Sequence, residues 1–103
     1  MAIDEITVDQ LAEVLPTGAR LIDVREPHEY DEARVPGALL VPLATVPDQV
    51  DMFRGDGPTY VICAAGGRSM RACEYVAAQG VEAVNVAGGT KAWIASGRAV
   101  ESS

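Results

Sequence analysis

The segment of the chain best suited to chemistry begins at Cys63, directly after an uncharged run of strand-forming residues at 59–62. Four small residues and then two polar ones follow the cysteine: Ala64, Ala65, Gly66, Gly67, Arg68 and Ser69. Small residues allow successive backbone amides to turn inward, and glycine reaches left-handed backbone angles that other residues resist. Inward N–H groups at the start of a helix form a binding site for negative charge. The sequence therefore predicts a nest of amides around the Cys63 sulfur.

A thiol in such a nest loses its proton readily, because nearby N–H groups and a helix N-terminus stabilise the thiolate. We expect Cys63 to be the nucleophile, negatively charged near neutral pH and accessible, with residues 64–69 binding the substrate. Arg68 adds a planar fork of donors that suits an oxyanion, and no histidine base is required. The alternative is an inert, buried cysteine followed by a simple turn.

Other reactive side chains are better explained by structure than by chemistry. Cys73 falls on the apolar side of the helix that follows the loop, too far along it for easy pairing with Cys63. His28 lies in a polar run and is expected to be exposed. Asp23 and Arg25 are expected to form an ion pair that fixes the loops at a strand end.

No cofactor or metal site is predicted. A single histidine and two cysteines ten positions apart do not give the spacing of a zinc site. Gly88 and Gly89 lack the rest of a dinucleotide-binding pattern, which favours a tight turn before the last helix. Trp93 is interpreted as a core anchor, and Arg71 either meets an anionic donor or points into solvent.

Short apolar runs alternate with helical stretches along the whole chain. Strands are predicted near 6–8 and at 21–24, 39–41, 59–62 and 84–86, and those at 21–24 and 39–41 are expected to be buried. Helices are predicted from a Thr7–Gln10 capping box to about residue 15, and at 26–33, 47–53, 68–79 and 90–95. This alternation predicts an α/β fold with a mainly parallel sheet covered on both faces. In such sheets ligands gather beyond the carboxyl ends of the strands, where Cys63 is placed.

Length and composition indicate one domain, residues 1–103, with an apolar core and a last few residues that are disordered. The formal net charge of −7 argues against nucleic-acid binding and against an anionic membrane surface. The sequence shows neither a secretory signal nor an apolar run long enough to cross a bilayer, so a cytoplasmic location is expected.

Three further stretches, in order around the cysteine loop, give the chain a specific resemblance. They are residues 21–26 with Glu29 and Tyr30, residues 35–38 with 41–43, and residues 86–93 with Gly97 and Val100. Together with Cys63, Gly66, Arg68 and Ser69 they resemble the rhodanese family over nearly the whole chain. The resemblance implies a five-stranded, mainly parallel sheet with helices on both faces, and a thiosulfate sulfurtransferase-like activity through a Cys63 persulfide.

The implied partners are small sulfur donors and acceptors such as thiosulfate, cyanide and thiols, or a protein thiol. The loop from Cys63 to Arg68 has six residues, as in the sulfurtransferases, whereas the similar phosphatases and arsenate reductases have a longer loop, so those two activities are the less favoured alternatives. Ala64 and Ala65 stand where many family members carry basic or long polar residues. Thiosulfate is therefore expected to be a poor donor, and a sulfur-relay or binding module acting on a partner protein is the alternative. Arg34 is a candidate for positive charge near the loop.

Overall fold

A computed structural model describes residues 2–103, in which five parallel strands form one sheet. The strands are β1 (Asp4–Ile6), β2 (Arg20–Asp23), β3 (Leu39–Leu40), β4 (Thr59–Ile62) and β5 (Ala83–Val86). Their order across the sheet is β1-β5-β4-β2-β3. The central strand β4 pairs Val61 with Ile22 of β2 and with Asn85 of β5. The residue that follows β4 therefore lies at the middle of the carboxyl edge of the sheet.

Three α-helices lie between strands, α1 (Val8–Val14), α2 (Pro27–Glu32) and α3 (Gly67–Ala78), and α4 (Gly89–Ala95) follows the last strand. The predicted capping box of α1 is confirmed, since the Thr7 hydroxyl accepts from the Gln10 N–H and the Gln10 side chain accepts from the Thr7 N–H. Helix α3 ends before Gly80, whose φ of +87° is the left-handed angle that a glycine after a helix supplies. No helix within residues 2–103 is long and apolar enough to span a membrane.

The sheet is covered on both faces, as predicted. Leu11 of α1 and Trp93 of α4 pack with Ile62 and Val86 on one face. Val76 of α3 packs on the other face with a cluster that includes Ile22, Val61, Cys63 and Cys73. Trp93 is the expected core anchor, 5% exposed, and its indole N–H donates to the Ala99 carbonyl at 2.9 Å.

Four local predictions are wrong. The first strand does not lie near 6–8, because β1 is Asp4–Ile6 and Val8 is the first residue of α1. Residues 47–53 do not form one helix, because two 3₁₀ segments, Leu43–Asp48 and Val50–Phe53, occupy this region with Pro47 inside the first. Strand β3 is not buried, since it is a two-residue edge strand in which Leu39 is 50% exposed. The last residues are ordered, because Arg34 and Glu101 exchange backbone hydrogen bonds of 2.9 and 3.0 Å.

A buried ion pair fixes the segment that follows β2, as predicted. The guanidinium of Arg25 donates to both carboxylate oxygens of Asp23, with Nη2 2.8 Å from Oδ2, and neither residue is more than 6% exposed. The same guanidinium donates to the Glu29 and Ala33 carbonyls at 3.3 and 2.8 Å. The pair therefore anchors α2 to the carboxyl edge of the sheet.

Candidate active site

Cys63 lies directly after β4, at the carboxyl edge of the sheet and in front of α3. The backbone N–H of Gly66 donates a hydrogen bond to its sulfur at 3.1 Å, and the hydroxyl of Ser69 donates another at 3.2 Å. Ser69 is fully buried in the first turn of α3, so its hydroxyl is held where it meets the sulfur.

The donors around the sulfur favour its thiolate form. Burial opposes ionisation, but hydrogen bonds from the Ser69 side chain and backbone, and from the backbone of Gly66 and Ala65, together hold the pKa of Cys63 below its ordinary value. A charged sulfur gains more from these donors than a neutral thiol does, because charge-assisted hydrogen bonds are the stronger ones. The site therefore favours the ionised, nucleophilic form of the sulfur.

The first residues of α4 turn the loop peptides toward the sulfur. The N–H groups of Thr90 and Lys91 donate to the carbonyls of Cys63 and Ala64, at 2.8 and 3.0 Å. In a trans peptide the carbonyl and the following N–H point in opposite directions. Binding these two carbonyls therefore directs the N–H groups of Ala64 and Ala65 away from α4, and the Ala65 N–H is among those that stabilise the thiolate.

Gly89 permits this close approach of α4 to the loop. A Cβ atom at position 89 would lie 2.5 Å from the Cys63 carbonyl oxygen and 2.6 Å from that of Ala64. The predicted tight turn is present, since Gly88 is the N-cap of α4 with φ +80°. The role of Gly89 in allowing α4 to pack against the cysteine loop was not predicted.

Gly66 is the residue at which the loop reverses, with φ +114°. Its carbonyl accepts from Nδ2 of Asn85 at 3.2 Å, and the same Nδ2 donates to a Glu5 carboxylate oxygen at 2.8 Å. Asn85 is 1% exposed, and its Oδ1 has no hydrogen-bond partner among residues 2–103. Burying the unpaired Oδ1 of Asn85 destabilises the fold. The two hydrogen bonds donated by its Nδ2 offset this cost.

The guanidinium of Arg68 is paired with a carboxylate of the protein. Its two terminal nitrogens, Nη1 and Nη2, donate to the two carboxylate oxygens of Glu29 at 2.8 and 2.9 Å. The Arg68 hydrogen bond, together with that of the Glu26 N–H and the charges of Arg68 and Arg25, outweighs burial and lowers the pKa of Glu29 to about 2. Glu29 is thus the charged partner of the loop arginine.

The structure corrects the expectation that the Cys63 thiol is freely accessible. Cys63 is 1% exposed, because the loop folds over the sulfur when α4 binds its carbonyls. Exposure is confined to the rim, where Ala65 and Gly67 face solvent while Ala64 and Gly66 are partly covered. The sulfur therefore lies at the floor of a cradle.

The remaining predicted residues lie as follows. Cys73 is a free thiol, fully buried, and burial first and the neighbouring Cys63 second raise its pKa to about 12, which makes it unreactive. His28 and Arg71 are exposed. Arg34 does not serve the loop: its guanidinium donates to the Tyr30 carbonyl and to the Ser103 hydroxyl, at 3.1 and 2.9 Å.

The sequence placed Glu29 in a stretch that resembles the family but did not predict its contact with Arg68, and Asn85 and the two amides of α4 were missed. Glu29 and Arg68 are 39 positions apart, and Asn85 lies 19 positions from Gly66 and 80 from Glu5, so no local pattern joins them. One signal was present, since a polar residue at the centre of the apolar run 83–86 is unusual in a buried strand. Within residues 2–103, no group of three histidine, cysteine or acidic side chains is placed to hold a metal ion.

Comparison with known proteins gives one consistent result. The family model described as the rhodanese-like domain matches residues 7–96. The Bacillus subtilis protein YtwF is 37% identical over 95 residues, covering 90% of this chain and 92% of that protein. A protein of Allochromatium vinosum named a sulfurtransferase is 32% identical over 98 residues, covering 92% of each. A crystal structure of a rhodanese-like domain protein from Staphylococcus aureus is similar with a TM-score of 0.82 at 38% identity, covering 88% of this chain and 91% of that one.

Proposed function

The chain belongs to the rhodanese-like domain family of sulfurtransferases, and we propose that it transfers a sulfane sulfur by carrying it on Cys63 as a persulfide. The observation that supports this most directly is the pair of donors on the Cys63 sulfur, the Gly66 N–H and the Ser69 hydroxyl. Both stabilise a negative sulfur atom, first as the thiolate and then as the persulfide.

The reaction has two halves. In the first, the Cys63 thiolate attacks the outer sulfur of the donor, a new S–S bond forms, and the rest of the donor leaves with the electron pair of the broken bond. In the second, a nucleophilic acceptor attacks the outer sulfur of the persulfide and the Cys63 thiolate leaves. This is covalent catalysis with ping-pong kinetics, which divides one difficult transfer into two easier ones.

Because the Cys63 sulfur is buried, an acceptor can reach the outer sulfur of a persulfide more easily than the Cys63 sulfur itself. A persulfide extends the side chain by an S–S bond of about 2 Å. The outer sulfur would then stand nearer the rim formed by Ala65 and Gly67 than the Cys63 sulfur does. A small donor enters the cradle, and a larger acceptor collects the outer sulfur at its mouth.

A second candidate function differs from the first in the sulfur donor and acceptor that the protein uses. Thiosulfate and cyanide are the small molecules that the family resemblance implies, with thiols and protein thiols as the acceptors in a cell. Ala64 and Ala65 bring no charge to the rim, which favours a relay module that takes sulfur from a partner and passes it to another thiol. Both cysteines are free thiols, which is typical of proteins in a reducing compartment, and we propose a cytoplasmic location.

A mass measurement tests the proposal. After incubation with a sulfur donor, the intact protein should gain about 32 Da, one sulfur atom, located on Cys63 by peptide mapping. Cys63→Ser should neither gain this mass nor transfer sulfur while keeping its fold. Cys73→Ala is the matched control, because Cys73 is buried and unreactive, and it should still take up sulfur. Uptake by Cys63→Ser at the wild-type rate would refute the proposal.

A further inference from the structure

The positive charge next to the cradle is already bound to a carboxylate. Glu29 and Arg68 form a two-point ion pair, with N–O distances of 2.8 and 2.9 Å, and their side chains are 25% and 32% exposed. Each terminal nitrogen of Arg68 uses one of its N–H groups in this pair, so the end of the fork faces the carboxylate. An oxyanion that approaches Cys63 therefore meets a neutralised arginine with a carboxylate beside it.

Glu29 is held in this position by contacts that do not involve Arg68. Its Oε1 also accepts from the Glu26 N–H at 2.9 Å, in the capping box of α2. The backbone carbonyl of Glu29 accepts from Arg25, which is fixed in turn by the buried carboxylate of Asp23. The carboxylate is thus a built part of the site, and an incoming anion would have to displace it from a preorganised pair.

The rim of the cradle offers an anion no other charged group of its own. Residues 64–67 are two alanines and two glycines, so a donor bound there is recognised by backbone amides and by shape. A dianion such as thiosulfate would bear its charge close to Glu29, with no charged side chain among residues 64–67 to compensate it. A donor of low net charge would not suffer this repulsion.

We infer, on the basis of the function proposed above, that Glu29 determines donor specificity by occupying Arg68, so that the protein takes sulfur from a thiol-borne persulfide of low charge rather than from an oxyanion. In this step the Cys63 thiolate attacks the outer sulfur of R–S–S–H. The new bond joins the Cys63 sulfur to that atom, the S–S bond of the donor breaks, and R–S⁻ leaves with the electron pair. The proton stays on the transferred sulfur, and no external oxidant or reductant is needed.

The experiment compares two donors on three forms of the protein. The donors are thiosulfate, a dianion, and cysteamine persulfide, whose ammonium group offsets its persulfide charge. The forms are the wild type, Glu29→Gln and Glu32→Gln. Glutamine at position 29 removes the charge but keeps an oxygen that can accept from the Glu26 N–H. Glu32, an exposed carboxylate on the same helix, provides the matched loss of one charge without touching Arg68.

The measured quantity is the rate at which Cys63 gains one sulfur from each donor. Glu29→Gln should raise the thiosulfate rate relative to the cysteamine persulfide rate by about tenfold, because it frees a charge-assisted donor fork for the anion. Glu32→Gln should leave this ratio within about twofold of the wild type, as expected for a solvated surface charge. An unchanged ratio in Glu29→Gln, or an equal rise in Glu32→Gln, overturns the role of Glu29 and leaves the persulfide mechanism intact. Sulfur uptake from neither donor in all three forms overturns the proposed function itself.

Discussion

Replacing Ser69 by alanine tests whether the cradle keeps the Cys63 sulfur ionised. The Ser69 hydroxyl donates to that sulfur at 3.2 Å and is fully buried, so water cannot replace it easily. The substitution removes one donor from the thiolate and leaves the Gly66 N–H in place. With fewer donors the thiolate is less stable relative to the thiol, so the pKa of Cys63 rises toward its ordinary value.

The size of the effect follows from the strength of a hydrogen bond to a charged group. Such a bond contributes about 1.5–3 kcal/mol, which is roughly a tenfold to hundredfold change in the ratio of thiolate to thiol. At a pH below the pKa of both forms, the rate of alkylation by iodoacetamide should fall by at least about tenfold in Ser69→Ala. As the pH rises through the pKa of the variant, the two rates should converge.

The assay is the pH dependence of alkylation at Cys63, followed by mass spectrometry so that Cys73 is scored separately. Ser96→Ala is the control for loss of a serine hydroxyl, since Ser96 lies at the end of α4 and its hydroxyl donates to Trp93. Its alkylation profile should match that of the wild type. A Ser69→Ala profile that coincides with the wild type across the pH range would show that the hydroxyl does not stabilise the thiolate.

Two further predictions concern stability and the seating of α4. Since the pKa of Glu29 is lowered to about 2, its ion pair stabilises the fold above the ordinary carboxyl pKa of 4.5, and this contribution is lost as the pH falls from 4.5 toward 2. Urea denaturation should show an acid loss in the wild type that exceeds the loss in Glu29→Gln by on the order of 1 kcal/mol after allowance for solvent screening, and equal losses would contradict this. Gly89→Ala should destabilise the protein by at least about 1 kcal/mol more than Gly80→Ala and slow the alkylation of Cys63, because both glycines have positive φ but only position 89 meets the loop carbonyls. Equal unfolding free energies for the two variants would show that the loop can yield without cost.

The parts of the fold that the sequence predicted are those specified by neighbouring residues. The capping box of α1 needs only Thr7 and Gln10, three positions apart, and both of its hydrogen bonds are present. The strand at 59–62 is an uncharged run, three of whose four residues are β-branched, and it is the central strand β4. Signals of this kind are contained in a short window, so the single sequence is sufficient to find them.

The incorrect predictions concern residues whose structure is decided by distant contacts. Residues 100–103 carry no strong pattern, yet Glu101 pairs with Arg34 and the Ser103 N–H donates to the Asp31 carbonyl. Pro47 suggested the first turn of a helix, but the chain uses it inside a 3₁₀ segment that follows β3. In the first case the hydrogen-bond partners are distant in sequence, and in the second the course of the chain after β3 decides the helix type. Local propensity predicts neither.

In the site, too, some groups follow from local sequence and others depend on distant contacts. This difference explains why a loop of alanine and glycine is sufficient to stabilise the thiolate. The donors on the Cys63 sulfur come from residues 65–69, and these follow from the composition of the loop. The groups that aim those donors, Asn85 on Gly66 and the α4 amides on the carbonyls of Cys63 and Ala64, are contributed by the chain after β4. Because backbone N–H groups and the Ser69 hydroxyl hold the sulfur, the side chains at positions 64 and 65 have no part in ionising it. Selectivity for a donor must then come from charge placed outside the loop, and Glu29 is the carboxylate that the fold brings against the loop arginine.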